Sequence, residues 1–209
     1  DFEYMVHYLG ADGTSFPTIA GSGANGTMLH YETNRDTCED GTLLLLDLGA
    51  KVQGYCADIT RTYPVNGVFT PRQRAVYEVV LAANRAVAAA ARPGVTLSGL
   101  NEICKLVLAE GCMKLGLIDS AEKIGTYYMH GVSHHLGIDV HDVSAGRDEP
   151  LKPGAVITDE PGLYIDEWEI GIRIEDDLLI CEDGCEVLSA DVIREADEIE
   201  AFMAQAKQE

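Results

Sequence analysis

No stretch of this chain runs to the roughly 18 consecutive apolar residues that a membrane-crossing helix needs, which excludes a spanning segment and a membrane partner. The opening residues, Asp1-Phe2-Glu3, lack both the basic and the apolar region of a secretory signal. A soluble, cytoplasmic protein is expected, and a first residue other than Met marks the chain as an expected fragment of a longer one. Basic residues are scarce: 15 Lys and Arg stand against 35 Asp and Glu, a formal charge of -20. Binding to phosphate backbones draws its affinity from Lys and Arg, so no nucleic-acid partner is expected. The six cysteines contain no CxxC pair, which excludes a structural zinc site of that spacing and leaves reduced, unpaired thiols as the reading. What is present in quantity is hydrophobic residues, 46% of 209, enough for the core of a single domain over 1–209.

Residues from Ser15 to Gly67 read as strands and turns, with the turn-rich Gly21 to Gly26 followed by an apolar run from Leu43 to Leu48. Val52 to Tyr63 reads as the hairpin partner of that run. Thr70-Pro71-Arg72-Gln73 has the form of a helix start, with Thr as the cap, Pro in the first turn and Gln at the third position, and the helix should last until Pro93-Gly94. A second helix is expected from about Ser98 to Leu115. Both read as scaffold, because their polar positions carry no convergent set of acids or histidines. Strands return around Ala155 to Thr158, Leu163 to Ile165, Ile170 to Ile174 and Leu178 to Cys181, before a last helix near Glu195 to Gln205. Strands, a helix pair and strands again predict an α+β fold with antiparallel sheet.

Four acids sit in apolar surroundings, where an ionised carboxylate costs several kcal/mol unless it is paired or coordinated. Asp47 lies near the end of the Leu43 to Leu48 run and Asp58 on the segment after it; Glu160 precedes Pro161, and Glu175 follows Gly171-Ile172-Arg173-Ile174. Pro161 forces Glu160 into extended backbone, and Arg173 falls two residues before Glu175, on the same face of a strand. Four of the six histidines crowd between His130 and His141, and imidazole is the commonest metal ligand. Four carboxylates with an imidazole form an oxygen-rich set that suits Mn²⁺, Co²⁺, Fe²⁺ or Zn²⁺, and their charge balances two divalent ions. Two such ions can activate a water for amide hydrolysis.

In this order the residues resemble the pita-bread metallopeptidases, and within them the Xaa-Pro aminopeptidases and prolidases. The resemblance runs from about Gly21 to Met203. It rests on Asp47-Leu48-Gly49, Tyr55 to Thr62, His130 to Gly137, Glu160-Pro161-Gly162-Leu163-Tyr164 and Ile172 to Asp176. It implies a curved antiparallel sheet covered by helices, and two metal ions, usually Mn²⁺. Asp58 and Glu175 would bridge the ions, Asp47 would bind one, and His134 and Glu160 the other. A hydroxide between the ions would be the nucleophile, and Glu160 would pass its proton to the leaving nitrogen. His141 and His30 would contact the substrate or the developing oxyanion, His130 would line the pocket, and Arg173 and Tyr164 would hold the ligands from behind. The implied substrate is a peptide with proline second, cut by an Xaa-Pro aminopeptidase that is homo-oligomeric at full length. A prolidase acting on dipeptides is the nearer alternative, and a non-catalytic binding module of this fold the more distant one. The chain departs from the family at Asp159, where an apolar residue usually precedes the ligand glutamate, and in a short stretch from Tyr4 to Phe16.

Overall fold

The computed structural model describes residues 1–206. A short helix α1 (Phe2–Tyr8) leads into strands β1 (Gly13–Thr14) and β2 (Ile19–Ser22) and a 3₁₀ turn at Gly23–Thr27. Strands β3 (Leu43–Leu48), β4 (Ala50–Val52), β5 (Tyr55–Cys56) and β6 (Ile59–Pro64) come next, then helices α2 (Pro71–Ala90) and α3 (Leu97–Lys114). The second half holds β7 (Val156–Asp159), β8 (Gly162–Ile165), β9 (Ile170–Arg173), β10 (Asp176–Ile180), β11 (Cys185–Val187) and helix α4 (Ala196–Ala206). All strand pairs are antiparallel, in the orders β2-β3-β6, β11-β10-β7, β8-β9 and β1-β4-β5. The expected α+β class is what the chain adopts. Among the described residues no helix is long and apolar enough to cross a membrane.

The strand Leu43–Leu48 is buried on one face only: Leu43, Leu45 and Asp47 point inward while Leu44, Leu46 and Leu48 are half-exposed. Period-two alternation therefore places Asp47 on the buried face with the core leucines. The expected single partner strand from Val52 to Tyr63 is broken in two. Gln53 and Gly54 both take positive φ and close a two-residue hairpin between β4 and β5, a turn that Gly at its second position favours. Of β4, β5 and β6, only β6 pairs with β3, with Asp47 opposite Thr60 and Leu48 opposite Ile59. Asp58 consequently sits just before β6, at the mouth of the sheet rather than within it.

Helix α2 begins as its sequence indicates. The Thr70 hydroxyl accepts from the Gln73 amide while the Gln73 side chain accepts from the Thr70 amide, and losing that cap would cost about 1 kcal/mol. Helix α3 starts one residue earlier than expected, capped by Thr96 through the Gly99 amide. Together the helices bury Val76, Tyr77, Val80, Leu81, Leu100, Cys104 and Leu108 against the strands. They are also more than scaffold. Asn84 on α2 reaches the carboxylate of Asp176 at 3.0 Å, and Asn101 on α3 accepts from the Val132 amide, steadying the segments that carry Glu175 and His134. The helix α1 and the strands β1 and β11 carry no strong pattern and were not expected from sequence.

Candidate metal centre

The β3–β6 register decides the first part of the site. Residues opposite each other in an antiparallel pair share a face, so Thr60 lies beside Asp47, and Asp58, two residues before Thr60, is carried toward the same side. The second part comes from β7 and β10, where Asp159 faces Asp176. Their neighbours Glu160 and Glu175 extend the two strands by one residue and point the other way. Asp159 thus looks into the core beneath α2, fully buried, and burial together with the nearby Asp176 pushes its carboxyl well above the usual carboxylate range. Asp176 is instead held below that range: burial opposes its charge, but Arg61 at 2.7 Å, Ser189 at 2.6 Å and Arg194 outweigh it.

Asp47, Asp58, His134, Glu160 and Glu175, which the sequence singled out, all line one cavity of about 350 Å³, with His30, His130, His141, Arg173 and Arg147. Ligand-type atoms of Asp58, His134 and Glu175 lie within 4.8 Å of one another. His134 Nε2 stands 3.4 Å from Asp58 Oδ2 and 3.5 Å from Glu160 Oε1. Its other nitrogen, Nδ1, is 3.0 Å from the His135 carbonyl, which only accepts, so Nδ1 carries the hydrogen and Nε2 is free to donate its lone pair.

Burial pushes the carboxyl of Asp47 up to about 6, with Arg173 opposing and Asp58 adding to the rise. Glu160 is pushed to about 7, again by burial, against the attraction of His134 and Arg173. Glu175 lies well above the usual range because it is buried and faces Asp58, Glu160 and Asp47 together. His134 is raised as well, although burial disfavours its charge: the hydrogen bond to Asp58 and the charge of Glu160 prevail. These acids repel one another unless a cation lies among them. Asp47 Oδ1 and Asp58 Oδ1 are buried without a hydrogen-bond partner, as lone pairs kept for a metal would be. The donor set fits hard divalent cations.

Behind the ligands runs a chain of donors. Arg173 binds Asp47 Oδ2 at 2.6 Å through Nη2, Tyr164 at 3.0 Å through Nη1 and Thr60 Oγ1 at 3.0 Å through Nε. Tyr164 Oη in turn lies 2.8 Å from His130 Nε2. His130 Nδ1 faces the Gly131 carbonyl, so the Tyr164 hydroxyl donates and His130 accepts. Burial, with the charge of Arg173, pushes His130 down to about 4 and keeps it neutral. Gly162 has no side chain because a Cβ there would strike the Tyr164 hydroxyl, and the Tyr164–Arg173 bond needs that space. Tyr164 itself is buried behind the cavity rather than on its wall. His141 stacks edge-to-face on His134 with ring centroids 4.5 Å apart and remains exposed. His30 is exposed at the rim.

Four residues escaped the sequence reading. Thr60 donates to Glu175 Oε2 at 2.6 Å, and Thr158 to Glu160 Oε1 at 3.2 Å. The carboxylate of Asp177 accepts from the Asp58 amide, and Arg147 reaches the cavity from an exposed loop. Thr60 shares strand parity with Asp58, a signal that was available; for the others only the tertiary contact reveals a role.

Residues 1–182 match the family model described as metallopeptidase family M24. The chain is 43% identical over 234 residues to the Xaa-Pro aminopeptidase of Escherichia coli (strain K12), an alignment covering 100% of this chain and 53% of that protein. It is 39% identical to the mitochondrial intermediate cleaving peptidase 55 of Arabidopsis thaliana, covering 96% of this chain and 43% of that one. The solved structure of aminopeptidase P from E. coli with the inhibitor Pro-Leu superposes with a TM-score of 0.95 at 40% identity, covering 99% of this chain and 51% of the other. The chain thus spans about half the length of the relatives it matches.

Proposed function

Because the chain belongs to metallopeptidase family M24, we propose that residues 1–209 act as the catalytic domain of an Xaa-Pro aminopeptidase, which releases the first residue of peptides with proline second. The observation that carries this is the meeting of Asp47, Asp58, His134, Glu160 and Glu175, from distant parts of the chain, around one cavity with buried carboxylate oxygens left unpaired. Asp47, Asp58, His134, Glu160 and Glu175 would together hold two divalent ions, Mn²⁺ foremost, their four carboxylates offsetting the ions' charge. Bound there, the ions supply Lewis acidity and lower the pKa of a water toward 7.

The chain's own residues do the rest. Glu160 lines the cavity with its Oε1 3.5 Å from His134 Nε2, and from there it is placed to pass a proton to the leaving proline nitrogen. Arg173 stays charged, its pKa raised by Tyr164, Asp47 and Glu175 although burial works against it, and it fixes the Asp47 carboxylate in one orientation. His141 and His30 stand exposed over the cavity, where they meet the substrate carbonyl as negative charge develops on its oxygen. Neutral His130 packs against the substrate without adding a positive charge.

A second reading, a prolidase restricted to dipeptides, is favoured by one observation. The Arg147 guanidinium lines the same cavity, where it suits the free carboxylate that only a dipeptide places so near the scissile bond. Assaying Ala-Pro-Ala beside Ala-Pro, each with and without Mn²⁺, decides between the two. Manganese-dependent cleavage of the tripeptide is the expected result, cleavage of the dipeptide alone supports the prolidase, and no cleavage of either refutes both.

A further inference from the structure

Lys51 and Cys56 face each other in the register of the β4–β5 hairpin, and residues so paired present their side chains on one face. Both side chains end on one atom, the Ile138 carbonyl oxygen: Lys51 Nζ donates to it at 2.8 Å and Cys56 Sγ at 3.4 Å. The Cys56 amide donates to the neighbouring carbonyl, that of Gly137, at 2.8 Å. Ile138 stands three residues before His141. We propose that Lys51 is a positioning residue for His141: by holding the Ile138 carbonyl it fixes the loop that carries the His141 ring over the cavity. The inference rests on the role given to His141 in the aminopeptidase reading above, and it assigns a task to a side chain outside the cavity wall.

The loop is held at two places. At its neck the Asp142 amide donates to the His135 carbonyl at 2.9 Å, and His135 bridges to Ile157 of β7. At its tip Ile138 and Asp139 are exposed. Among the described residues, the three contacts from the hairpin are the hydrogen bonds that join Gly137, Ile138 and Asp139 to chain outside the loop. A neck alone leaves the residues beyond it free to swing, and the grip at the tip removes that freedom.

The hairpin is itself braced. The Asp12 amide donates to the Lys51 carbonyl at 2.8 Å, and Asp12 Oδ2 accepts from the Gly54 amide at 2.7 Å. Cys56 lies two residues before Asp58, so the segment that delivers a candidate metal ligand also grips the His141 loop. Of the two side-chain donors Lys51 is the stronger, because an ammonium makes a charge-assisted bond and a thiol is a weak donor. Lys51 is half-exposed, so replacing it leaves the core intact. A donor to the developing oxyanion that drifts from its place costs rate more than substrate binding.

The test uses the full chain loaded with Mn²⁺ and the substrate Ala-Pro-Ala. Lys51→Met keeps the length of the side chain and removes the ammonium, and Lys51→Arg restores a cationic donor. In Lys51→Met, kcat should fall roughly tenfold while KM and calorimetric Mn²⁺ affinity stay within about twofold. Amide hydrogen exchange across residues 136–143, followed with and without Mn²⁺, should quicken by about tenfold. Lys51→Arg should recover most of both losses. Added to His141→Ala, Lys51→Met should lower kcat by less than about twofold more, since residues that act through one group are not additive. An unchanged kcat in Lys51→Met, a full tenfold loss that persists in the His141→Ala background, or a loss that follows reduced Mn²⁺ affinity overturns the proposal. If the unaltered chain hydrolyses nothing, quickened loop exchange in Lys51→Met that Lys51→Arg reverses supports the grip on the loop and refutes the activity. No hydrolysis with unchanged exchange refutes both.

Discussion

Thr60 Oγ1 donates a hydrogen bond to Glu175 Oε2 at 2.6 Å, joining β6 to the carboxylate just beyond β9 across 115 residues of sequence. The same oxygen accepts from Arg173 Nε at 3.0 Å, so its hydrogen is directed at Glu175 and nowhere else. One buried hydroxyl therefore sets the orientation of a carboxylate that would hold metal in the proposed function.

Thr60→Val keeps the β-branched shape and removes that donor. Metal affinity should fall roughly 10- to 100-fold, as when other outer partners of metal ligands are lost. Calorimetric titration with Mn²⁺ measures it, and unchanged affinity would mean the Glu175 carboxylate needs no such support.

His134 and His141 stack on each other, yet they should behave differently. His134→Ala removes a ligand and should leave the loaded protein short of metal. His141→Ala should keep full metal content and lower kcat by about 10²-fold or more, the usual cost of one lost oxyanion donor. Elemental analysis beside kcat for both variants separates the roles, and metal loss in His141→Ala would overturn the one given to it.

Metal binding should strengthen as pH rises. Asp47 at about 6 and Glu160 at about 7 lie above the usual carboxylate range without ions, so both are protonated at pH 5 and must release protons to hold a cation. The same raised values mean that, without metal, the folded chain holds more protons than the unfolded one between about pH 4 and 7. These two groups therefore make their full contribution to stability below that window and lose it as pH climbs through it. Mn²⁺ offsets the loss, so the rise in Tm that it produces should be small at pH 5.5 and larger at pH 7.5. A shift independent of pH would contradict the assignment of these acids as ligands.

Asp159→Val should stabilise the protein at neutral pH by on the order of 1–3 kcal/mol, because it removes a buried carboxyl beside Asp176 and suits a strand. Since the folded pKa of Asp159 is raised, its unfavourable contribution appears as pH climbs above the usual carboxylate range. The advantage of the variant in urea melts should accordingly be greater at pH 7 than at pH 4. A loss of stability would show that Arg194 and the Ala88 backbone favour the Asp159 carboxyl more than burial and Asp176 disfavour it.

Much of the candidate site was legible because it depends on short-range rules. An acid inside the alternating β3 strand, a glutamate locked extended by Pro161 and a cluster of histidines each break the expectation for a core, and each was found on the cavity wall. The Thr70 capping box was equally local. The hairpin at Gln53-Gly54 was missed because β-branched and aromatic residues on both sides of it favour strand, and only the pairing with β1 and β5 shows where the turn must fall.

The sequence by itself determined which chemical groups were available and which elements carried them: four acids and an imidazole in apolar settings, on an α+β chain. Tertiary structure alone decided which atoms meet. Arg61 gathers Asp176 and the Glu175 carbonyl, Thr60 finds Glu175, and the five candidate ligands meet on one cavity wall. The reason is physical: propensity and period act over a few residues, whereas desolvation, carboxylate repulsion and hydrogen-bond partnership depend on groups more than a hundred residues apart that approach only when the sheets pack.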